Sequence, residues 1–100
     1  LRAKIEEADL VITGEGAIDH QTANGKVPVG VAKIAQEFDV PVVAIAGAVK
    51  DDAKQLYQLG IDGMTSIISA PITLQESMVQ AEKLIIETVI RLMHLLDINI

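Results

Sequence analysis

Three short apolar runs, separated by segments with helical periodicity, restrict the possible fold of this sequence more than any other feature. The runs are Leu10–Thr13, Val42–Ala46 and the weaker Met64–Ile68. None of them alternates between apolar and polar residues, which is typical of strands covered on both faces. The sequence therefore predicts an α/β fold of three layers, with a short parallel sheet between two layers of helices.

The segments between the runs predict the helices. Apolar residues recur at i, i+3, i+4 and i+7 through Pro28–Phe38, so this segment is predicted to be an amphipathic helix. Proline fits its first turn, where the missing N–H costs nothing. Ala53–Leu59 is predicted to form a short helix, capped by Asp51 or Asp52 and ended by Gly60 in the left-handed conformation.

The last predicted helix is long and apolar. It begins at Thr73, which forms a capping box with Glu76, and runs to about Leu96. The order of elements is then (α)βαβαβα, with parallel strands and right-handed crossovers. The apolar stripe is wider than a free surface helix needs, so we expect something beyond three strands to cover it. The stripe contains Met78, Ala81, Ile85, Val89, Leu92 and Leu96, and is widened by Ile86, Ile90 and Met93.

Charge and composition argue against several classes of partner. The 100 residues include 14 acidic and 8 basic side chains, for a formal charge of −6, which argues against nucleic acid and anionic membranes. Cysteine is absent, so disulfides and thiolate metal sites are excluded and the cytoplasm is the expected compartment. The chain begins at Leu1 with Arg2–Glu7 resembling the tail of a helix, so we expect a fragment of a larger protein.

Loops that follow parallel strands emerge at the same edge of a sheet. We therefore expect Gly14–Lys26, Gly47–Lys50 and Ser69–Ile72 to lie together, and the polar side chains of the first loop place a ligand site at that edge. Asp19 occupies the third-glycine position of G-x-G-x-x-G, which argues against a dinucleotide site. A Walker A loop would need glycine at position 20 and Ser or Thr at position 27, so it is excluded as well.

The residues that remain suit a polyanion. Gly14 and Gly16 lack the Cβ that would keep a ligand from the backbone, although a tight turn without a ligand is the alternative. Lys26 precedes a helix N-terminus, which offers free N–H groups and the positive end of a dipole to an anion. A solvated surface lysine is the alternative for Lys26, and His20 is expected to be a solvated loop residue.

Two carboxylates in the same loop suit metal binding or proton transfer. Glu15 and Asp19 could hold Mg²⁺, or one of them could accept the proton of a hydroxyl group. The alternatives are a structural pairing for Glu15 and an Asx-turn or cap for Asp19. Gln21, Thr22 and Asn24 could bind a ligand through neutral hydrogen bonds or stabilise the backbone of the loop itself.

This loop resembles the signature of bacterial-type glycerate kinases. The matching residues are Thr13, Gly14, Glu15, Gly16, Asp19, Gln21, Thr22, Gly25, Lys26, Pro28 and Gly30–Ala32. Pro41–Gly47, Gly60–Asp62 and Pro71–Met78 are similar to further segments of the family, so the resemblance covers nearly the whole chain. Residues 1–100 resemble the C-terminal part of a larger protein with two α/β domains. One departure is Ala17, where many relatives carry Arg or Lys.

The resemblance implies ATP-dependent phosphorylation of D-glycerate to a phosphoglycerate, with Mg²⁺ as the metal and with this chain as one wall of the cleft. Within that activity we assign Asp19 and Lys26 as catalytic and Glu15 and Asp19 as Mg²⁺ ligands. The substrate- or phosphate-binding residues are then Gly14, Glu15, Gly16, Gln21, Thr22 and Gly25.

The expected partners are glycerate, ATP and the remainder of the protein's own chain, and a homo-oligomer is left open. Two other classes of function are alternatives. One is a binding module that holds a phosphate or sugar acid without chemistry. The other is an oligomerisation domain that uses the last helix.

The first prediction concerns Lys26, the one cation of the candidate loop. If it neutralises charge during phosphoryl transfer, Lys26→Met in the full-length protein should lower kcat/KM by roughly 10²-fold, about 2.7 kcal/mol. The melting temperature should hardly change, because exposed lysines contribute little to stability. Steady-state kinetics measure kcat/KM and thermal melts measure the melting temperature. Near-normal kinetics would support the alternative that Lys26 is a solvated surface lysine.

Overall fold

The strands form a single parallel sheet. The structure, a computed structural model, describes residues 2–24, 27–68 and 70–98. Within these ranges the strands are β1 (Val11–Ile18), β2 (Val42–Val49) and β3 (Gly63–Ser66). The sheet has the order β1-β2-β3, and both neighbouring pairs are parallel. The predicted parallel sheet is confirmed, with β2 at its centre.

Helical segments connect and flank the strands. The α-helices are α1 (Arg2–Glu6), α2 (Val27–Glu37), α3 (Leu74–Val79) and α4 (Ala81–Leu96). Two further segments form 3-10 helices, here called the first 3-10 helix (His20–Asn24) and the second 3-10 helix (Asp51–Leu59). The helix predicted over Pro28–Phe38 is α2, shifted by one residue at each end, and Pro28 lies in its first turn as expected.

The two faces of the sheet are covered by different layers. On one face, β2 buries Val42, Ala44 and Ala46 in a core that includes residues of α1, α2 and the second 3-10 helix. On the other face, Val43 and Ile45 pack in a second cluster with Leu84 of α4. The three-layer arrangement predicted from the uninterrupted apolar runs is therefore confirmed.

The first two strands are longer than the sequence predicted. Gly14, Glu15 and Gly16 were expected in a loop, but all three lie inside β1, and Gly47–Val49 continues β2. The two strands stay in register through Gly14 opposite Ile45 and Ile18 opposite Val49. Pairing with β2 holds the glycines extended, so the loop prediction was wrong for these positions. Ser69, the first residue of the third predicted loop, lies outside the described residues.

The sequence predictions for the two ends of the second 3-10 helix are confirmed at its C-terminal end only. Gly60 ends the segment in the left-handed conformation, with φ of 103° and its N–H donating to the carbonyl of Leu56, as predicted. The predicted cap by Asp51 or Asp52 was wrong: Lys50 occupies the cap position, and no side chain caps the helix. The segment is also a 3-10 helix that begins two residues earlier than Ala53.

The long last helix is divided in two. Thr73 caps α3 as predicted, since its hydroxyl oxygen accepts a hydrogen bond of 3.0 Å from the N–H of Glu76. The helix then breaks at Gln80, where φ is −98° and ψ is 10°, and restarts as α4. On α4, Leu84 and Thr88 are the buried residues.

Most of the predicted apolar stripe remains exposed. The large apolar residues with exposed side chains on α3 and α4 are Leu74, Met78, Val79, Ile85, Ile86, Ile90, Met93, Leu95 and Leu96. We call this set the α3–α4 apolar surface. Within the described ranges, no helix combines the length and apolar character needed to cross a membrane. The expectation that another part of the protein covers this surface stays a prediction.

Gly60 gives a direct test of the fold. A Cβ there would lie 2.8 Å from the side chain of Gln36 and would have to adopt a positive φ. Gly60→Ala should therefore destabilise the protein by about 1–2 kcal/mol. The matched control is Gly30→Ala inside α2, where a Cβ meets no described atom within 4 Å. That change should stabilise by about 0.5–1 kcal/mol, because alanine favours a helix interior. Thermal melts that move in the same direction for both variants would contradict the structure.

Candidate functional site

A cleft opens between the carboxyl halves of β1 and β2 and the helix α4. Its volume is about 390 Å³, which lies within the range of about 300–1,000 Å³ that is usual for small-molecule sites. The lining residues, which we call the glycine cleft, are Gly14, Glu15, Gly16, Ile45, Ala46, Gly47, Ile67 and Ile85. Gly14, Glu15, Gly16 and Gly47 come from two of the segments expected at the site, whereas Asp19, Gln21 and Thr22 are not among the lining residues.

The three glycines of the cleft are not needed for unusual backbone conformations. Among the described glycines only Gly60 has a positive φ, so Gly14, Gly16 and Gly47 have dihedrals that other residues adopt. A tight turn was the alternative interpretation of Gly14 and Gly16, and their place in β1 contradicts it. Their small size is what distinguishes them at this site.

The lack of a Cβ serves two different purposes along the cleft. A Cβ on Gly47 would lie 2.9 Å from the carbonyl oxygen of Gly16, so glycine is required there by the packing of β1 against β2. A Cβ on Gly16 would meet no atom of the described chain within 4 Å, and one on Gly14 would only touch the carbonyl oxygen of Ile45 at 3.9 Å. At Gly14 and Gly16 the missing side chain leaves open space in the cleft.

Glu15 lies between these two glycines on β1. It is partly buried and pairs in register with Ala46. Within the described ranges its carboxylate makes no hydrogen bond and no ion pair, so a structural pairing, the alternative for this residue, finds no support there. Glu15 is therefore a cleft residue whose acceptor groups have no partner among the described residues.

Asp19 follows β1 directly and organises the turn that leads into the first 3-10 helix. Its Oδ1 accepts a hydrogen bond of 2.9 Å from the N–H of Gln21, which is the Asx-type bond expected as an alternative. Its own N–H donates to the hydroxyl oxygen of Thr22 at 3.2 Å. Within the described residues, Oδ2 of Asp19 has no hydrogen-bond partner. Asp19 thus stabilises its own turn while one carboxylate oxygen stays available.

The polar residues after Asp19 differ in how a ligand could reach them. Thr22 is completely buried, and its hydroxyl oxygen accepts the hydrogen bond from the N–H of Asp19. We call the turn formed by residues 19–22 the Asp19 turn. Gln21 is exposed, and only its backbone takes part in that turn. Gly25 and Lys26 lie outside the described residues, as does the side chain of Asn24. The assignment of these residues to a site stays a prediction.

Two contacts at this edge were missed by sequence reasoning. His20 is exposed, as expected, but its Nδ1 lies 2.7 Å from Oδ2 of Asp52, the residue expected to be a helix cap. Ser66 at the end of β3 donates to the carbonyl oxygen of Gly47 at 3.2 Å and accepts from the N–H of Ile68 at 3.0 Å. No local signal could reveal the contact of His20 with Asp52 or that of Ser66 with Gly47, because these partners are 32 and 19 residues apart in sequence.

The described carboxylates fit a metal site only in part. Within the described ranges, no group of three or more His, Asp or Glu side chains is placed to hold a metal ion. Mg²⁺ in phosphoryl-transfer sites is commonly held by one or two carboxylates together with water and phosphate oxygens. The assignment of Glu15 and Asp19 as Mg²⁺ ligands stays a prediction.

Comparison with known proteins decides the family. The family model described as the glycerate kinase family matches residues 1–97. The chain belongs to the glycerate kinase family. This confirms the resemblance that the sequence motif indicated.

Individual relatives agree with the family match. The chain is 51% identical to a glycerate kinase of Bacillus subtilis (strain 168) over 73% of its own length and 19% of that protein. It is 46% identical to a glycerate 2-kinase of Escherichia coli (strain K12), over 77% of this chain and 20% of that protein. It thus spans about a fifth of the length of these relatives.

A solved structure also resembles the fold. It is a crystal structure of a candidate glycerate kinase 2 from Salmonella typhimurium LT2, 44% identical in sequence, with a TM-score of 0.52. The match covers 80% of this chain and 20% of the other. The fold and the family are therefore supported by independent comparisons.

A pair of alanine substitutions tests the two purposes of the cleft glycines. Gly47→Ala should destabilise the protein by about 1–3 kcal/mol, because the new methyl group overlaps the carbonyl oxygen of Gly16. Gly16→Ala is the matched control and should change stability by no more than about 0.5 kcal/mol, because its methyl group enters open space. Thermal melts of the full-length variants give the comparison. An equal loss in both would mean that the space above Gly16 is filled by another part of the protein.

Proposed function

We propose that the full-length protein phosphorylates D-glycerate with ATP, and that this chain provides one wall of the active-site cleft. The observation that carries the proposal is the open glycine cleft of a glycerate kinase family member, which Glu15 lines. Membership of the glycerate kinase family supports phosphorylation of glycerate as the reaction. The open space above Gly16 favours a bound ligand at this wall.

Phosphoryl transfer depends mainly on positioning the reactants and neutralising charge. In the proposed roles, Asp19 orients the attacking hydroxyl and accepts its proton, or ligates Mg²⁺ together with Glu15. Gly14 and Gly16 allow the ligand to approach the backbone of β1. Lys26 and Gly25, which precede α2 in the sequence, would bind negative charge on the substrate or on the transferred phosphoryl group.

The neutral residues have smaller proposed roles. Gln21 would donate a hydrogen bond to the substrate from its exposed side chain. Thr22 is buried in the turn and would act through the geometry of Asp19 rather than by contact. This refines the expectation that Thr22 binds the ligand directly.

Mg²⁺ and ATP belong to the same proposal. The carboxylates of Glu15 and Asp19 fit the hard-oxygen preference of Mg²⁺, which would supply positive charge beside the phosphate oxygens. A cytoplasmic location is proposed with them, supported by the absence of cysteine. The name of the Escherichia coli relative favours the 2-hydroxyl of glycerate as the acceptor.

We also propose that residues 1–100 are the C-terminal part of the glycerate kinase and that the remainder of the chain packs on the α3–α4 apolar surface. The 73 matched residues are only 19% of the Bacillus subtilis relative, which leaves ample protein to cover the surface. Exposed apolar area of this extent is typical of a surface that contacts other protein. A second copy of the protein is the alternative occupant.

The function is tested with purified full-length protein, MgCl₂, ATP and D-glycerate. We expect glycerate-dependent release of ADP and a product that ³¹P NMR identifies as 2-phosphoglycerate. Residues 1–100 alone should show no turnover, because a cleft needs two walls. Glycerate binding by calorimetry without any turnover would favour the non-catalytic binding module instead.

The role of Asp19 has its own test. Asp19→Asn should lower kcat by about 10²-fold or more if Asp19 is the base or a metal ligand. Raising the Mg²⁺ concentration should restore activity only in the metal case. Asp9→Asn is a matched control, because Asp9 is an exposed residue just before the opposite end of β1. Near-normal kcat for Asp19→Asn, or an equal loss in the control, would contradict the assignment.

A further inference from the structure

Two residues of the second 3-10 helix form hydrogen bonds with the Asp19 turn. Oδ1 of Asp52 accepts a hydrogen bond of 3.1 Å from the N–H of His20, and Oδ2 lies 2.7 Å from Nδ1 of the same residue. The side-chain amide of Gln55 donates to the carbonyl oxygen of His20 at 3.0 Å. His20 is therefore bound at its N–H, its carbonyl oxygen and its ring, directly beside Asp19.

These hydrogen bonds differ in function from the hydrogen bonds inside the Asp19 turn. The Asp19–Thr22 and Asp19–Gln21 bonds shape the turn but join residues only two or three positions apart. The bonds from Asp52 and Gln55 span 32 and 35 residues and connect the segment after β1 to the segment after β2. They therefore fix how the Asp19 turn sits relative to the sheet.

We propose that Asp52 and Gln55 are positioning residues that hold Asp19 in place for phosphoryl transfer. The inference rests on the proposed function for its kinetic consequence. The side chains of His20 and Asp52 are 58% and 52% exposed, so their pairing should contribute little to stability. A displacement of about 1 Å of a catalytic group can nevertheless cost 10²-fold in rate. Loss of this contact should therefore change the position of Asp19, and with it the rate, while the stability of the fold changes little.

Three variants of the full-length protein isolate the contact. Asp52→Ala removes both acceptors of His20. Asp52→Asn keeps a carbonyl oxygen for the N–H of His20 and offers an NH₂ group to the ring nitrogen, so it should preserve the geometry. Asp51→Ala is the matched control, because Asp51 is an exposed neighbour whose carboxylate makes no hydrogen bond within the described ranges.

Hydrogen exchange measures the contact without relying on activity. In Asp52→Ala, the amides of residues 20–24 should exchange at least about 10-fold faster, while those of β2 keep their protection. Asp52→Asn and Asp51→Ala should match the unsubstituted protein. Gln55→Ala should show a smaller increase in the same segment, since it loses one bond instead of two.

Kinetics then test the consequence for the reaction. Asp52→Ala should lower kcat by about 10-fold or more with little change in KM for ATP, and Asp52→Asn should restore most of kcat. A merely structural role predicts instead a lowered melting temperature with kcat per folded molecule unchanged.

The outcomes distinguish the constraint that Asp52 places on the Asp19 turn from the effect of that constraint on the reaction. Unchanged exchange in residues 20–24 of Asp52→Ala would overturn the contact as a constraint. Faster exchange with normal kcat, or an equal loss of kcat in Asp51→Ala, would overturn the positioning role. If the unsubstituted protein shows no glycerate-dependent turnover, the proposed function fails, and the exchange result alone decides whether Asp52 holds the turn.

Discussion

The in-register pairing of β1 with β2 is the interaction on which the rest of this structure depends. It continues through Gly14 opposite Ile45 and Glu15 opposite Ala46, so that both strands extend well past their apolar runs. The pairing tolerates the close approach of Gly47 to the carbonyl oxygen of Gly16 only because Gly47 has no Cβ. It therefore sets the floor of the cleft and fixes where the chain leaves β1 at Asp19.

The candidate site gathers negative charge from the part of the chain that the structure describes. Glu15 lines the cleft and Asp19 follows β1 directly, and phosphate groups are anionic as well. In the proposed reaction, the positive charge at this wall would come from Mg²⁺, from Lys26 or from the remainder of the protein.

Sequence reasoning succeeded where local pattern decides structure and failed where distant partners decide it. The periodicity of α2, the cap at Thr73 and the left-handed Gly60 are local signals, and the structure confirms them. Gly14 and Gly16 were expected in a loop because glycine commonly ends strands, whereas pairing with β2 keeps them extended. Asp52 was interpreted as a helix cap because its true partner, His20, is 32 residues away. The break at Gln80 has no sequence signal, since glutamine is a good helix former.

We propose that Gly14 and Gly16 are small because a ligand occupies the space above them. The most direct measurement is a crystal structure of the full-length protein with D-glycerate and a non-hydrolysable ATP analogue. We expect substrate or phosphate atoms in van der Waals contact with the backbone of Gly14 and Gly16, inside the glycine cleft. A side chain from the remainder of the protein filling that space, with the ligands bound elsewhere, would contradict it.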